Sequence, residues 1–320
     1  MRRHRTAAGI LLAVGALFTG GLTSTAAAAS SPAPVAAHTA PAAEQQRATA
    51  FWTADRMRGA TPLDVLLTPG ATKALRAPRP EAATTTVAPA APTAFPQPGG
   101  PWTAGGAVVK TSGRVFFTFQ GRTASCTGNS VNSQNGSTVL TAGHCVKYQG
   151  SWHTNWIFVP GYDNGQAPYG QWAASKTLTT PQWDATQAMN YDIGAAVVAP
   201  LNGQKLTSVI GGQGIQFNGA YGQKMYAFGF PAAAPYDGTK LIYCSGNSSK
   251  DWLLTQDHGV ACNMTGGSSG GPWFANFDEA TGTGLQASVN SFGYVFIPNR
   301  MFGPYFGNDA KTLYDKAQTT

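Results

Sequence analysis

The 320-residue sequence lacks the features that would direct it to a membrane, a nucleic acid or a metal. No apolar run reaches the roughly 20 residues of a membrane-spanning helix. Residues 100–320 hold 12 Lys and Arg against 10 Asp and Glu without a basic cluster, so no nucleic-acid face is indicated. No C-x-x-C pair is present to suggest zinc. We therefore expect no stable membrane association, no nucleic-acid partner, no metal and no cofactor.

Most of the formal net charge of +7 belongs to the N-terminal part, where residues 1–99 hold 9 Lys and Arg against 4 Asp and Glu. Three arginines within residues 1–5 precede an apolar run over residues 7–22 and the small residues Ala27-Ala28-Ala29. This pattern is that of a secretory signal peptide, so residues 1–29 are predicted to direct the protein out of the cell. We expect a secreted, extracellular protein.

The sequence has four cysteines and none before Cys126. An even number of cysteines in an exported chain indicates disulfides, and four cysteines allow three pairings. The pairing Cys126–Cys145 with Cys244–Cys262 closes two short loops and is the one we favour. Each bridge would stabilise the fold by about 3 kcal/mol in the chain-entropy model.

Residues 30–111 are rich in Ala, Pro and Thr. Stretches such as "AAHTAPAAEQQ" and "VAPAAPTAFPQPGGP" cannot bury enough apolar surface by themselves and are predicted to be linker. Between them, "RATAFWTADRMRGATPLD" predicts a short helix ending before Pro62. We interpret residues 30–111 as a removable pro-segment with linker, the alternative being a permanent flexible stalk.

Short β-rich runs recur beyond residue 110 between Gly, Asn and Ser clusters, which is typical of an all-β sandwich or barrel. The runs are "RVFFTFQ", "STVLTA", "NWIFVP", "IGAAVVA", "KMYAFGF", "KLIYCS", "DWLLT" and "LQASVNSF". Only "NDAKTLYDKAQ" at the end predicts a helix, with Asn308 or Asp309 as its N-cap. The fold class is therefore all-β with a C-terminal helix, over residues 112–320.

The stretch "NMTGGSSGGPWF" crowds glycines and two serines between apolar residues, and it contains the G-x-S-x-G pattern around Ser269. A serine nucleophile needs a histidine base and a third group that orients the base. No histidine follows Ser269, which excludes the α/β-hydrolase order. The subtilisin order needs an aspartate before the histidine, but no Asp or Glu lies between Glu81 and His144, and any earlier one lies in the predicted pro-segment, so this order is excluded. Only the order histidine, aspartate, serine remains.

His144 in "VLTAGHC" follows an apolar strand and precedes a cysteine, so it is the preferred base. His153 and His258 lie in polar surroundings and are predicted to be solvated. Among the aspartates, Asp192 opens the apolar run "DIGAAVVA", where a buried carboxylate needs a partner that His144 would supply. Asp184 in "PQWDAT" is the reserve candidate.

In this order, "TAGHC", "DIG" and "GSSGGP" resemble the motifs of secreted bacterial trypsin/chymotrypsin-fold serine peptidases, near the actinobacterial trypsin-like peptidases and the glutamyl endopeptidases. The resemblance covers roughly residues 112–320, and "FWTADRM…PLD" is similar to pro-segments of that group. It implies two six-stranded antiparallel β-barrels, about 112–203 and 204–320, with the active site in the cleft between them. A monomer acting on polypeptide substrates is expected.

The resemblance also implies roles for individual residues. His144 is the general base, Asp192 orients it and Ser269 is the nucleophile. The backbone N–H groups of Gly267 and Ser269 form an oxyanion hole. Ser291, Phe292 and Gly293 match the strand that pairs with the substrate backbone. The competing hypothesis is an inactive peptidase fold that serves as a binding or adhesin module.

Two departures from the family bear on specificity. Trypsin proper carries an aspartate six residues before the nucleophile, where this chain has Asn263. Glutamyl endopeptidases carry a histidine just before the Ser-x-Gly strand, where this chain has Asn290. An uncompensated charge in the pocket would cost about 1–3 kcal/mol. Cleavage after neutral, large apolar or aromatic residues is therefore expected.

A third departure concerns activation. Much of the animal trypsin family has an aspartate before the nucleophile, which pairs with a newly freed N-terminus, whereas this chain has Ser268. Activation is therefore expected not to depend on a terminal salt bridge, and the pro-segment is expected to act as a chaperone or inhibitor.

Overall fold

Short strands of buried β-branched and aromatic side chains form most of the regular secondary structure. The structure is a computed structural model, and it describes residues 33–67 and 95–320. The predicted signal peptide lies outside the described residues. The described residues between Pro34 and Thr320 belong to one compact unit. None of the described helices is long and apolar enough to cross a membrane.

The strands are numbered in chain order as β1 (Ala36–Thr39), β2 (Thr61–Pro62), β3 (Gln97–Pro101), β4 (Ser112–Phe119), β5 (Arg122–Ser130), β6 (Thr138–Thr141), β7 (Lys147–Tyr148), β8 (Ser151–Trp152), β9 (Thr154–Pro160), β10 (Trp172–Thr179), β11 (Gly194–Val198), β12 (Gly214–Ile215), β13 (Lys224–Gly229), β14 (Ile242–Asn247), β15 (Ser249–Lys250), β16 (His258–Ala261), β17 (Pro272–Asp278), β18 (Thr283–Val289) and β19 (Arg300–Gly303). The α-helices are α1 (Ala42–Phe51), α2 (Ala54–Gly59), α3 (Leu63–Leu67), α4 (Ala107–Thr111), α5 (Pro181–Thr186), α6 (Leu206–Ile210) and α7 (Asn308–Gln318).

Six strands close into the first barrel, in the order β10-β11-β6-β5-β4-β9, with β9 pairing back to β10 through Trp172 and Phe158. The tightest connection is the β4–β5 hairpin. Its two turn residues, Gln120 and Gly121, both have positive φ (47° and 76°). That is the backbone of a type I′ turn, whose twist matches that of the strands.

The second half of the fold contains a six-stranded sheet, in the order β12-β18-β17-β13-β14-β3, and a three-stranded sheet, β15-β16-β19. The sequence interpretation expected a second closed six-stranded barrel, and the strands instead divide between these two sheets. Helix α7 packs on the first barrel through Ala310, Leu313 and Ala317, which are spaced to lie on one face. The all-β fold class with a C-terminal helix is confirmed.

Residues 34–66, called the leader below, are not linker. Strand β1 pairs with β10, and β2 pairs in parallel with β5. Trp52, Met57 and Leu63 are buried, and Trp52 also donates a hydrogen bond from Nε1 to the backbone oxygen of Asn155 at 2.6 Å. The linker interpretation was wrong here because the leader buries its large apolar side chains against the barrel rather than in a core of its own.

Three smaller predictions also need correction. The end of the second predicted linker stretch forms β3, which pairs with β14, so the folded region begins before residue 112. The run "DWLLT" is a turn, because the Asp251 carboxylate accepts hydrogen bonds from the N–H groups of Leu253 and Thr255. Helix α7 begins at Asn308, with Gly307 as its N-cap.

Candidate active site

His144 lies in a one-turn 3-10 helix, Gly143–Cys145, that follows β6. The Cys126–Cys145 disulfide ties this turn to β5. A Cβ atom at Gly143 would approach the Trp183 ring at 2.8 Å and the Asp192 carboxylate at 3.0 Å. Glycine is therefore required next to the histidine, because any side chain there would displace the groups that surround the imidazole.

Asp192 stands between a second 3-10 turn, Met189–Tyr191, and β11, and it is fully buried. Its Oδ1 accepts the backbone N–H of His144 at 2.8 Å, and its Oδ2 lies 2.7 Å from Nδ1 of the same residue. Ser291 donates its hydroxyl to Oδ2 at 2.6 Å. The sequence interpretation assigned Ser291 to substrate binding and did not predict this bond to Asp192. The reserve candidate Asp184 lies elsewhere and pairs with Lys147.

The electrostatics of His144 follow from these contacts. Burial alone would lower the pKa of the imidazole, but the charge and hydrogen bond of Asp192, with a contribution from Asp64, raise that pKa to about 9. The imidazolium form is therefore favoured at neutral pH in this arrangement. A histidine in this state has no free lone pair on Nε2 with which to accept a proton.

Ser269 lies in the loop that leads into β17. Glycines are needed in this loop because the backbone has positive φ angles and passes too close to neighbouring atoms for a side chain to fit. Gly267 and Gly270 have φ of 97° and 81°, and a Cβ atom at Gly270 would lie 2.0 Å from Oγ1 of Thr141. Thr127 on β5 holds the loop at two points. It donates its N–H to the Ser269 oxygen at 2.8 Å and its hydroxyl to the Gly267 oxygen at 2.9 Å.

The Asp64 carboxylate of the leader sits directly on this loop. The N–H of Gly267 donates to Oδ2 at 3.2 Å, and the Ser269 hydroxyl donates to both carboxylate oxygens at 3.1 Å. Oδ1 lies 3.8 Å from Nε2 of His144. The structure thus brings His144, Asp192 and Ser269 to one place, with a carboxylate between the histidine and the serine. No sequence signal singled out Asp64.

A cleft of about 450 Å³ opens beside Ser269, and Asp64 forms part of its wall. Among the predicted substrate-binding residues, Asn263, Ser291, Phe292 and Gly293 line this cleft. The side-chain oxygen of Asn263 accepts a hydrogen bond from the Tyr236 hydroxyl at 2.6 Å. Met264, Arg300 and Met301 also line this cleft.

Asn290 was predicted to lie at the pocket, and the structure corrects this. Its side chain is buried, and its amide donates to the backbone oxygens of Phe228 at 2.8 Å and Ser268 at 2.9 Å. Its oxygen accepts from Nε1 of Trp273 at 2.6 Å. Asn290 therefore holds the serine loop to the sheet, and its side chain has no hydrogen-bonding group left for a substrate.

His153 and His258 were predicted to be solvated, and both are buried. Nε2 of His153 bonds the backbone oxygen of His144 at 2.8 Å, and its ring stacks on Phe117 at 4.2 Å. Burial lowers the pKa of each histidine to about 4, so both are neutral at pH 7. His153 supports the turn that carries His144. Only tertiary contacts reveal this role, because the local sequence is polar.

A further carboxyl group, Asp257, is buried behind the site, and neither of its oxygens has a hydrogen-bond partner among the described residues. Burial, together with the charges of Asp192 and Asp251, raises its pKa to about 8. The protonated form is therefore favoured at neutral pH.

Cys126, His144 and Cys145 come close enough together to suggest a metal-ligand group. The two sulfur atoms are bonded to each other in a disulfide, so neither is a thiolate ligand. The second disulfide, Cys244–Cys262, is also formed. The donor atoms of this group therefore do not fit a metal site.

Comparison with solved structures finds similar proteases, each matching about two thirds of this chain. The protease Anisep from Arthrobacter nicotinovorans is 46% identical, with a TM-score of 0.63, over 67% of this chain and 98% of that one. The thermostable serine protease AL20 from an extremophilic microorganism is 40% identical, with a TM-score of 0.63, over 67% of this chain and 99% of that one. A Glu endopeptidase shares the fold at 17% identity, with a TM-score of 0.55, over 69% of this chain and 97% of that one.

Among curated proteins, the "Extracellular metalloprotease" of Bacillus subtilis (strain 168) is 27% identical over 193 residues. The match covers 58% of this chain and 57% of that protein, so the chain spans a little over half the length of the curated relative it matches. No protein-family model matches the chain.

Proposed function

Because this chain belongs to the bacterial serine proteases of the trypsin/chymotrypsin fold, we propose that it is a secreted serine endopeptidase that hydrolyses peptide bonds through an acyl-enzyme on Ser269. The observation that carries the proposal is the buried His144–Asp192 pair, whose imidazole meets the same Asp64 carboxylate that the Ser269 hydroxyl contacts. A histidine oriented in this way is the base that a serine hydroxyl needs.

In the proposed reaction, His144 removes the proton of the Ser269 hydroxyl as its oxygen attacks the substrate carbonyl carbon. Asp192 keeps the other imidazole proton on Nδ1 and stabilises the imidazolium that forms. The N–H groups of Gly267 and Ser269 receive the negative charge on the carbonyl oxygen. His144 then protonates the leaving amine, and water hydrolyses the acyl-enzyme by the same steps. The leader must first leave the cleft, because Asp64 occupies the position of the substrate carbonyl.

Secretion is part of the proposal. The Arg-rich and apolar start of the sequence has the pattern of an export signal, although it lies outside the described residues. Two disulfides within the fold suit an oxidising compartment. The Bacillus subtilis relative is named as an extracellular protease.

For specificity, we propose cleavage after neutral, large apolar or aromatic residues. Met264 and Met301 give the cleft beside Ser269 an apolar wall, and the Asn263 amide already bonds Tyr236. Arg300 also lines the cleft, but its guanidinium bonds the Ser249 hydroxyl and lies over the Phe302 ring. An acidic substrate side chain would have to compete for that cation.

A fluorophosphonate probe tests the proposal against the rival hypothesis of an inactive binding module. Chain from which the leader has been removed by limited proteolysis should be labelled covalently on Ser269, as read by peptide mass spectrometry. Ser269→Ala should take up no label, and Asp163→Asn, at an exposed turn, serves as a control for an unrelated substitution. Absence of label on leader-free wild-type protein that remains folded would support the binding module.

A further inference from the structure

The leader contacts the serine loop through the Asp64 side chain. Strand β2 runs parallel to β5, and helix α3 begins immediately after it, so the chain is helical where it passes Ser269. The group against Gly267 N–H is a carboxylate. A carboxylate carries no amine leaving group and is a poor electrophile, so this segment can occupy the site without being cleaved there.

The Asp64 carboxylate and the His144 imidazolium carry the same charges as the oxyanion and the imidazolium of the proposed tetrahedral intermediate. An anionic oxygen accepts the Gly267 N–H, and the other carboxylate oxygen faces the His144 imidazole. The imidazole is held in its charged form by Asp192 and Asp64 together. Anion and imidazolium are also the charges of the tetrahedral intermediate. The site therefore binds this carboxylate with the groups that it uses to stabilise the transition state.

The rest of the leader fixes Asp64 in place. Leu63, next to it in sequence, is fully buried in the core of the first barrel. On the other side, the Val65 side chain lies 3.3 Å from where a Cβ atom of Gly266 would be. Strand β1, Trp52 and Met57 hold the preceding residues on the barrel. Asp64 is thus presented by a segment that is folded into the enzyme.

We propose that the active-site cleft is the binding surface for residues 61–66 of the leader, and that Asp64 inhibits the enzyme by placing its carboxylate in the oxyanion hole. This inference rests on the proposed function. The partner is a segment of the same chain, and the recognised chemistry is a carboxylate next to a buried leucine. The serine hydroxyl is held by Asp64 and is withheld from the histidine.

The test measures the rate at which a small fluorophosphonate labels Ser269 in the intact full chain, with intactness checked by mass spectrometry. Asp64→Ala should be labelled about 10- to 100-fold faster than wild type, the range expected for loss of a hydrogen bond to a charged group. Asp55→Ala is the matched control, because Asp55 is an exposed leader carboxylate whose ion pair is with Arg58 of the same helix. It should be labelled at the wild-type rate.

Asp64→Asn serves as the second variant if Asp64→Ala does not fold. It keeps the size of the side chain and removes its charge. NMR titration of the intact chains adds a readout that does not depend on activity. The pH at which the His144 ring is half-protonated should fall in Asp64→Asn and stay unchanged in Asp55→Ala.

The outcomes separate the inference from the proposed function. Labelling of folded Asp64 variants at the wild-type rate, with leader-free wild-type protein reacting quickly, would overturn the inference alone. No label on any folded form, the leader-free protein included, would overturn the proposed function and the inference with it. Faster labelling of Asp55→Ala to the same extent as Asp64→Ala would also overturn the inference, because leader stability and not the carboxylate would then be responsible.

Discussion

Replacing Asp257 by asparagine should change how the stability of the protein depends on pH. The carboxyl group is fully buried without a hydrogen-bond partner among the described residues, and its pKa rises from 3.8 to about 8 in the folded state. Between these pH values the folded chain holds a proton that the unfolded chain has released. The free energy of unfolding should therefore fall as the pH rises from about 4 to about 8, by roughly 1 kcal/mol per pH unit at the steepest.

Other groups titrate over the same range, so the informative quantity is the difference between wild type and variant. The lowered pKa values of His153 and His258, both about 4, make stability rise with pH up to 6.5. The raised pKa of His144, about 9, makes stability fall between pH 6.5 and 9. These contributions are common to both proteins and cancel in the difference. Asp257→Asn should become progressively more stable relative to wild type from pH 4 to pH 8.

Urea denaturation followed by tryptophan fluorescence at several pH values would measure this difference. Both chains should carry Ser269→Ala, which prevents self-digestion during the experiment. Asp163→Asn, which removes an exposed carboxylate, controls for the general effect of one negative charge. Parallel stability curves for the Asp257→Asn chain and its parent between pH 4 and 8 would show that Asp257 is ionised in the folded protein, contrary to the reasoning from its burial.

Four further outcomes are expected. In leader-free enzyme, Asp192→Asn should lower kcat by roughly 10⁴, because an amide would donate to Nδ1 of the histidine and select the wrong tautomer; near wild-type activity there, with collapse in Asp184→Asn, would refute the assignment. Trp52→Ala should lower the free energy of unfolding of the full chain by about 3–5 kcal/mol in urea melts, and a change below about 1 kcal/mol would show that the leader is not part of the core. One extra residue at the mature N-terminus should leave peptide hydrolysis intact, because the buried Ser268 hydroxyl bonds the Thr265 oxygen at 2.8 Å and offers no charge to a terminus; a large loss would contradict this. A peptide library should show neutral residues before the scissile bond, and strict preference for Arg, Lys or Glu would refute the pocket argument.

The short-range sequence patterns correctly predicted the strands, the two disulfides and the pairing of His144 with Asp192. Strands such as "RVFFTFQ" and "IGAAVVA" form because their side chains suit a buried sheet, and the all-β class follows from their spacing. The short loops between Cys126 and Cys145 and between Cys244 and Cys262 made their pairing the favoured one, and both bridges are present. The placement of His144 beside Asp192 follows the requirement that a buried carboxylate has a partner.

Features that depend on distant segments could not be predicted in this way. Most apolar residues of the leader, residues 34–66, are alanines, and only the complementary surface of the barrel makes the folding of this segment favourable. His153 lies in a polar stretch, yet Phe117 and the backbone of His144 enclose it. Asn290 has the spacing of a pocket residue, but the buried Trp273 indole and two backbone carbonyls use its amide.

Because β1 pairs with β10, a cut in the chain would not by itself release the leader. Residues 36–39 pair with residues 176–179 of the barrel, while Trp52 and Leu63 are buried in it. A cut between residues 67 and 95 would therefore yield a two-chain complex held by these contacts. Its dissociation would leave an unpaired strand edge on the barrel, which is unfavourable until water or another strand covers it. The lifetime of this complex, rather than the rate of the cut, would then set the delay before activity appears.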